Sequence, residues 1–259
     1  MRWLIRRHTA WLALSLWLTG CASLGVAETV DSLLAKGKEL FQAGRYEEAL
    51  GKFQEIIKRD PRAWEAYLYT ARSYIAQKVW GPAIENGRKA LELAPKQDAV
   101  LPVLGSALLG GGRDSLQRGQ YPEAASRLRE YLRLNPTDGR GYLDLARAHL
   151  GTGTWRDALD ALQRGLGQAG DGPTRQEFMA SLLDGGHQAV TQGDLRSGIR
   201  FLEEYVRHDP SQASAYLDLG KAYWQAGDRG QAVTAFRRVL ELNPGQEEAL
   251  RFLLGTQSR

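Results

Sequence analysis

Between Val30 and Gln246 one 34-residue pattern is written six times, and a fixed period of that length constrains the fold more than composition does. The last copy, 213–246, is the clearest. Tyr216, Leu219, Gly220 and Tyr223 fall at i, i+3, i+4 and i+7, the stripe of one helix face. Gly227-Asp228 breaks the stripe, and Ala232, Phe236, Val239 and Leu240 renew it until Asn243-Pro244 ends it. Two antiparallel helices per copy follow. The copies span 30–63, 64–97, 105–138, 139–172, 179–212 and 213–246. Their eighth residue is always small (Gly37, Ala71, Gly112, Ala146, Gly186, Gly220), and so is the twentieth (Ala49, Ala83, Ala124, Ala158, Gly198, Ala232). Helices that cross closely require this, because a branched side chain would push the backbones apart. Pro61, Pro95, Pro136, Pro210 and Pro244 close five copies, with Gly170 in that place in the fourth.

A helix pair with a small residue at position 8, Ala at 20, a bulky apolar residue such as Phe236 at 24 and Pro at 32 resembles the tetratricopeptide repeat. The resemblance covers Val30–Gln246 and implies an all-α, right-handed α-solenoid of six helix pairs. Beyond it, 247–259 reads as a capping helix over Glu247–Leu254 and a tail that frays from Thr256. Almost no segment alternates as a strand does.

The spacing is uneven in an informative way. Val30 to Gly105 is 75 residues and Gly105 to Met179 is 74, and position 4 alternates Leu33, Tyr67, Leu108, Tyr142, Leu182, Tyr216. The chain is therefore read as a two-copy module written three times. The extra segments Asp98–Leu104 and Pro173–Phe178 are expected to lengthen the first helix of copies three and five by nearly two turns. Gly111, Gly112, Gly185 and Gly186 would each cost such a helix about 1 kcal/mol relative to Ala, an expense that close helix contact would offset.

Residues 1–20 have the order of a signal peptide, with Arg2, Arg6 and Arg7 ahead of the apolar run Thr9–Gly20. Its end, Leu18-Thr19-Gly20-Cys21, is similar to the lipobox of bacterial lipoproteins, which implies lipidation of Cys21, a tether over 21–29 and a mature protein held on a membrane. Ala22 in place of an Asp points to an outer-membrane address facing the periplasm. Cys21 is the single cysteine, so an intrachain disulfide is excluded. Without the three leader arginines the formal charge of +4 falls to +1, and nucleic acid is not an expected partner.

His149, His187 and His208 sit in different copies without metal-ligand spacing, and no phosphate loop, nucleophile elbow or dinucleotide fingerprint occurs. No cofactor, metal or enzymatic activity is expected. What stands out is the other face of each first helix. In tetratricopeptide proteins positions 2, 5, 9 and 12 line a concave peptide groove. Position 5 here is Leu34, Leu68, Leu109, Leu143, Leu183 and Leu217; position 12 is Phe41, Ile75, Leu116, Leu150, Val190 and Trp224. Position 9 is Lys38, Arg72, Arg113, Arg147, His187 and Lys221. Spaced i, i+4, i+7, the three positions share a stripe. The expectation is an exposed apolar floor with a cationic ladder, suited to a protein or peptide with apolar and acidic side chains. The alternative is that the ladder only forms intrahelical pairs with Asp144, Asp184 and Asp218, three residues earlier. Leu34, Lys38 and Tyr69 replace the Lys and Asn residues of the carboxylate clamp of chaperone-binding members, so that role is not expected. The resulting expectation is a lipid-anchored scaffold in cell-envelope assembly. A pilotin-like factor for a pilus secretin, and an accessory subunit of a cell-wall or polysaccharide enzyme, are the alternatives.

Overall fold

The computed structural model describes residues 28–257 apart from 171. The expected signal segment and Cys21, with the tether up to residue 27, lie outside the described residues.

Among those residues the chain forms helices throughout: α1 (Val30–Gln42), α2 (Tyr46–Arg59), α3 (Trp64–Ala76), α4 (Trp80–Leu93), α5 (Val100–Gln117), α6 (Tyr121–Leu134), α7 (Gly139–Gly151), α8 (Trp155–Gln168), α9 (Pro173–Thr191), α10 (Leu195–His208), α11 (Ala213–Gln225), α12 (Arg229–Leu242) and α13 (Glu247–Gln257). Odd-numbered helices up to α11 are the first of each pair. Four of these six have 13 residues, whereas α5 has 18 and α9 has 19, so the second extra segment is helical throughout and the first only from Val100, and each adds about one and a half turns where nearly two were expected. Pro102 lies in the first turn of α5, where its missing N–H costs nothing, and the helix starts at Val100 undelayed. The last helix continues to Gln257, past Leu254, where fraying had been expected to begin at Thr256.

The turn inside each pair rests on one backbone position. Its fifteenth residue is left-handed in every copy: Gly44, Gly119, Gly153, Gly193 and Gly227, with Lys78 at φ 59° in the second. Only glycine adopts that region without a Cβ clash, so the second turn carries strain that the other five avoid.

Packing within a pair follows from the small eighth position. A Cβ on Gly37 would lie 2.5 Å from the Phe53 ring, on Gly220 2.6 Å from Phe236, and on Gly112 2.8 Å from Leu128. Each partner is residue 24 of the same copy and is fully buried. In the second copy residue 24 is Gly87, and Leu104 of the long helix α5 fills the space. The costly mid-helix glycines are accounted for in the same way. Gly110 and Gly111 press on Trp80, and Gly185 presses on Phe201 and Leu150.

Each helix packs on the next, and α1, α3, α5, α7 and α9 also touch in succession, forming a continuous inner face. At the far end α13 closes the stack: Phe252 lies parallel to Phe236 at 4.6 Å and edge-on to Trp224 at 5.4 Å.

Candidate binding groove

The inner face is built from the first helices, so the stripe of positions 5, 9 and 12 runs along it. Its apolar members are not the exposed floor that was expected. Leu68, Leu143 and Leu217 are buried at 3%, 1% and 8% exposure, and Leu150 at 8%. Leu34, Phe41, Ile75, Leu109, Leu116, Leu183, Val190 and Trp224 are half-buried and pack against the core clusters. The correction has a geometric cause. From α1 to α9 adjacent first helices approach closely enough that their stripes interlock, and α12 and α13 cover the stripe of α11, so these side chains offer a ligand only their edges.

The cations behave differently from both readings of the sequence. Arg113 donates through Nε to Asp144 at 2.7 Å, Lys38 Nζ lies 3.2 Å from Glu65, and Lys221 Nζ lies 2.8 Å from Glu248. Arg147 reaches Glu177 at 3.0 Å, and His187 Nε2 is 2.8 Å from Asp218. Each acid belongs to the following first helix or, for Lys221, to α13. The intrahelical alternative survives only as the long Asp144–Arg147 contact of 3.7 Å; Asp184 instead accepts from Gln188, and Asp218 is taken by His187. Five rungs of the ladder are therefore clamps between copies, and their charge is largely compensated.

Arg72 is the exception. It is exposed, its guanidinium lies 5.3 Å from the centroid of the Tyr69 ring, and it forms no ion pair among the described residues. The reason lies on α5. Asp144 and Asp218 occupy position 6 of their copies, and Glu65 and Glu248 the second residue of their helix or copy. The third copy has Gly110 and Ser106 at positions 6 and 2. Gly110 is committed to Trp80. Lys38 also lies 5.0 Å from the Tyr69 ring, so this aromatic sits between two rungs of the N-terminal half.

Of the histidines, His149 is buried with Nδ1 2.7 Å from the Thr154 hydroxyl, and burial holds its pKa below the usual value. His208 Nε2 is 3.1 Å from Glu204, a buried carboxylate that also accepts from Gln163 at 2.8 Å and Arg207 at 2.7 Å. The bond from Gln163 joins α8 to α10. No group of three or more potential metal ligands occurs among the described residues.

Sequence models described as tetratricopeptide repeat match residues 34–98 and 183–253, and a second such model matches 115–182. The chain is 24% identical over 244 residues to DnaJ homolog subfamily C member 3 of Gallus gallus, covering 88% of this chain and 45% of that protein. It is 31% identical over 137 residues to sperm-associated antigen 1 of Mus musculus, covering 51% of this chain and 14% of the relative. The chain thus spans less than half the length of the curated relatives it matches. Among solved structures, Naa15/Naa10 bound to HypK-THB superposes with a TM-score of 0.51 at 19% identity, over 89% of this chain and 34% of that one, a likeness of fold. With its helix pairs, close-packing small residues and these matches, the chain belongs to the tetratricopeptide repeat family.

Proposed function

We propose that this protein is a protein-interaction scaffold held at a cell-envelope membrane by lipid on Cys21, whose groove takes an extended or helical partner segment with a carboxylate against Arg72. The observation that carries this reading is the missing acid beside Arg72. At the other rungs a ligand carboxylate would have to displace an internal one. At Arg72 it gains a charge-assisted hydrogen bond and breaks none. Half-buried Ile75 and Leu109 supply apolar edges, and Tyr69 a ring face. No helix among the described residues is long and apolar enough to cross a membrane, which is compatible with anchoring by acyl chains.

The experiment uses the full chain in cell envelopes, cross-linked to its partners. Arg72→Glu is expected to lower partner recovery about tenfold, while Arg156→Glu, an exposed change on α8, leaves it intact. Equal recovery from the two variants would sink the groove reading. Arg72 is a better probe than Arg113 or Arg147, whose replacement would also break clamps between copies. Lipid anchoring is tested by Cys21→Ser, which should move the protein to the soluble fraction; a Cys21→Ser, Arg72→Glu double variant still held on membranes would count against it.

A further inference from the structure

On the opposite side of the solenoid, between the second helices of copies three and four, lies an open cavity of about 430 Å³. Arg129 and Arg133 of α6 and Arg164 of α8 form its walls, and Tyr142 and Leu145 of α7 form its floor. The first two arginines are one turn apart on α6 and so face the cavity together. Arg164 Nε is 3.1 Å from Asp160, whereas Arg129 spends only its Nε on the Ala125 carbonyl at 3.2 Å, and Arg133 forms no ion pair among the described residues. Three guanidinium groups thus line a cavity whose own walls carry no carboxylate, although Glu130, held by Arg88, also attracts Arg133 from outside it. Like charges held around a concavity repel one another and raise its positive potential, a cost relieved when an anion enters.

The equivalent places in the other two modules lack this arrangement. In the last module Glu203 stands where Arg129 does, Arg207 is tied to Glu204, and Arg238 lies over the Tyr216 ring and pairs with Glu241. In the first module those positions are Gln54, Lys58 and Lys89, and Lys89 pairs with Glu92. Only the middle module presents three arginines around a Tyr-and-Leu floor.

We infer that this cavity is a second binding site, distinct from the groove, which takes a phosphoryl dianion carried on a small apolar body. Two charges match Arg129 and Arg133, neither of which forms an ion pair among the described residues. Guanidinium forks bind the oxygens of such a group in pairs. The floor of Tyr142 and Leu145 receives the apolar part, and the volume is that of a small-molecule site.

The test is titration calorimetry on the full chain in detergent, with phenyl phosphate as the probe and benzoate and phenol as the monoanionic and neutral controls. Saturable binding of phenyl phosphate is expected, with benzoate weaker and phenol silent. Arg129→Gln with Arg133→Gln should weaken it about tenfold or more, and Arg129→Lys with Arg133→Lys, which keeps the charge and the fold but loses the fork, by a smaller factor. Arg200→Gln, in the last module at the place that Ser126 holds in the middle one, should leave it unchanged. Vesicles of phosphatidylcholine with and without phosphatidic acid identify the source. Sedimentation that needs both phosphatidic acid and the two arginines assigns a lipid headgroup; calorimetric binding without it assigns a free phosphorylated compound. Absence of saturable binding, equal affinity for benzoate, or equal weakening by Arg200→Gln would overturn the site. None of these outcomes depends on Arg72.

Discussion

The middle module (α5–α8) and the last module (α9–α12) descend from the same pattern, yet they close in different ways. In the middle one α5 packs on α7. A Cβ on Gly141 would lie 2.9 Å from the Tyr131 ring, and Tyr131 donates to Asp138 at 2.6 Å. Burial first, and that bond second, push the Tyr131 hydroxyl up to about 12. In the last module Met179 replaces Gly105, Ala215 replaces Gly141, and Gln212 stands where Asp138 does. There a cavity of about 600 Å³ stays open between α9 and the end of α10, lined by Met179, Leu183, Tyr205 and His208 among others. A few substitutions at helix crossings decide whether two copies of one motif interlock or leave a space. The fold tolerates both, because each pair is stabilised mainly by its own core and its nearest neighbours.

The sharpest way to break this equivalence is at position 7. A Cβ on Gly185 would lie 2.7 Å from the Phe201 ring and 3.0 Å from Leu150, both in the core. Gly185→Val should destabilise by about 3 kcal/mol in chemical denaturation. The matching Gly111 faces Trp80 Cβ at 3.0 Å and the flexible Arg127 side chain at 3.4 Å, so Gly111→Ala should change stability by less than about 1 kcal/mol, helix propensity offsetting the crowding. Equal costs for Gly185→Ala and Gly111→Ala would show that the two crossings are not different.

Next in size is the tyrosine. Asp138→Ala strands the buried Tyr131 hydroxyl and should cost about 1–3 kcal/mol, whereas Gln212→Ala in the last module should stay within about 0.5 kcal/mol. A large effect at both would mean that Tyr205 depends on Gln212 after all.

Smaller again are two pH effects in separate windows. His149 has its pKa lowered by burial, so as pH falls through the ordinary value near 6.5 the unfolded chain takes up a proton before the folded one. Stability should decline below that point, and His149→Gln should flatten the slope. Glu130, at the junction of the first two modules, is held below its usual pKa first by its hydrogen bonds from Arg88. Its contribution is present above about pH 4.5 and is lost as pH falls through the lowered value; Arg88→Gln should remove that second limb only. Thermal melts between pH 8 and 3 would separate the two, and a slope near 6.5 that survives in His149→Gln would refute the first assignment.

The smallest effect concerns the strained turn. Lys78→Gly should stabilise by up to about 1 kcal/mol, the relief of a left-handed non-glycine residue less the added freedom of the unfolded chain. A measured loss would mean that the Lys78 side chain contributes more than its backbone costs.

Much of this molecule was legible in its residues because the information is local or periodic. Helix stripes, the small residues at positions 8 and 20, and the lengthened α5 and α9 depend on neighbours within one 34-residue unit. The left-handed fifteenth position could also have been read, since five of its six residues are glycine. The ladder could not be read in the same way. Lys38 meets Glu65 and Arg113 meets Asp144 at separations of 27 and 31 residues, set by how one helix pair stacks on the next. A search for acids at positions 2 and 6 of the following copy would have suggested the clamps of Lys38, Arg113 and His187 but not those of Arg147 and Lys221, whose acids lie in the inserted segment and in α13; comparison of positions 25 and 29 between modules would have singled out Arg129 and Arg133.

The sequence by itself determined that this chain stacks helix pairs, because a period and its small residues leave no other way to bury the stripes. Only the tertiary structure decided which groups remain available. Close approach of first helices turns Leu68 and Leu143 inward, α12 and α13 cover Leu217, and most of the ladder goes to internal carboxylates. Within the ladder Arg72 stays unpaired, and on the other side Arg129 and Arg133 flank a cavity without an ion pair among the described residues, because exposure and charge compensation are properties of the stacked array and not of any single repeat.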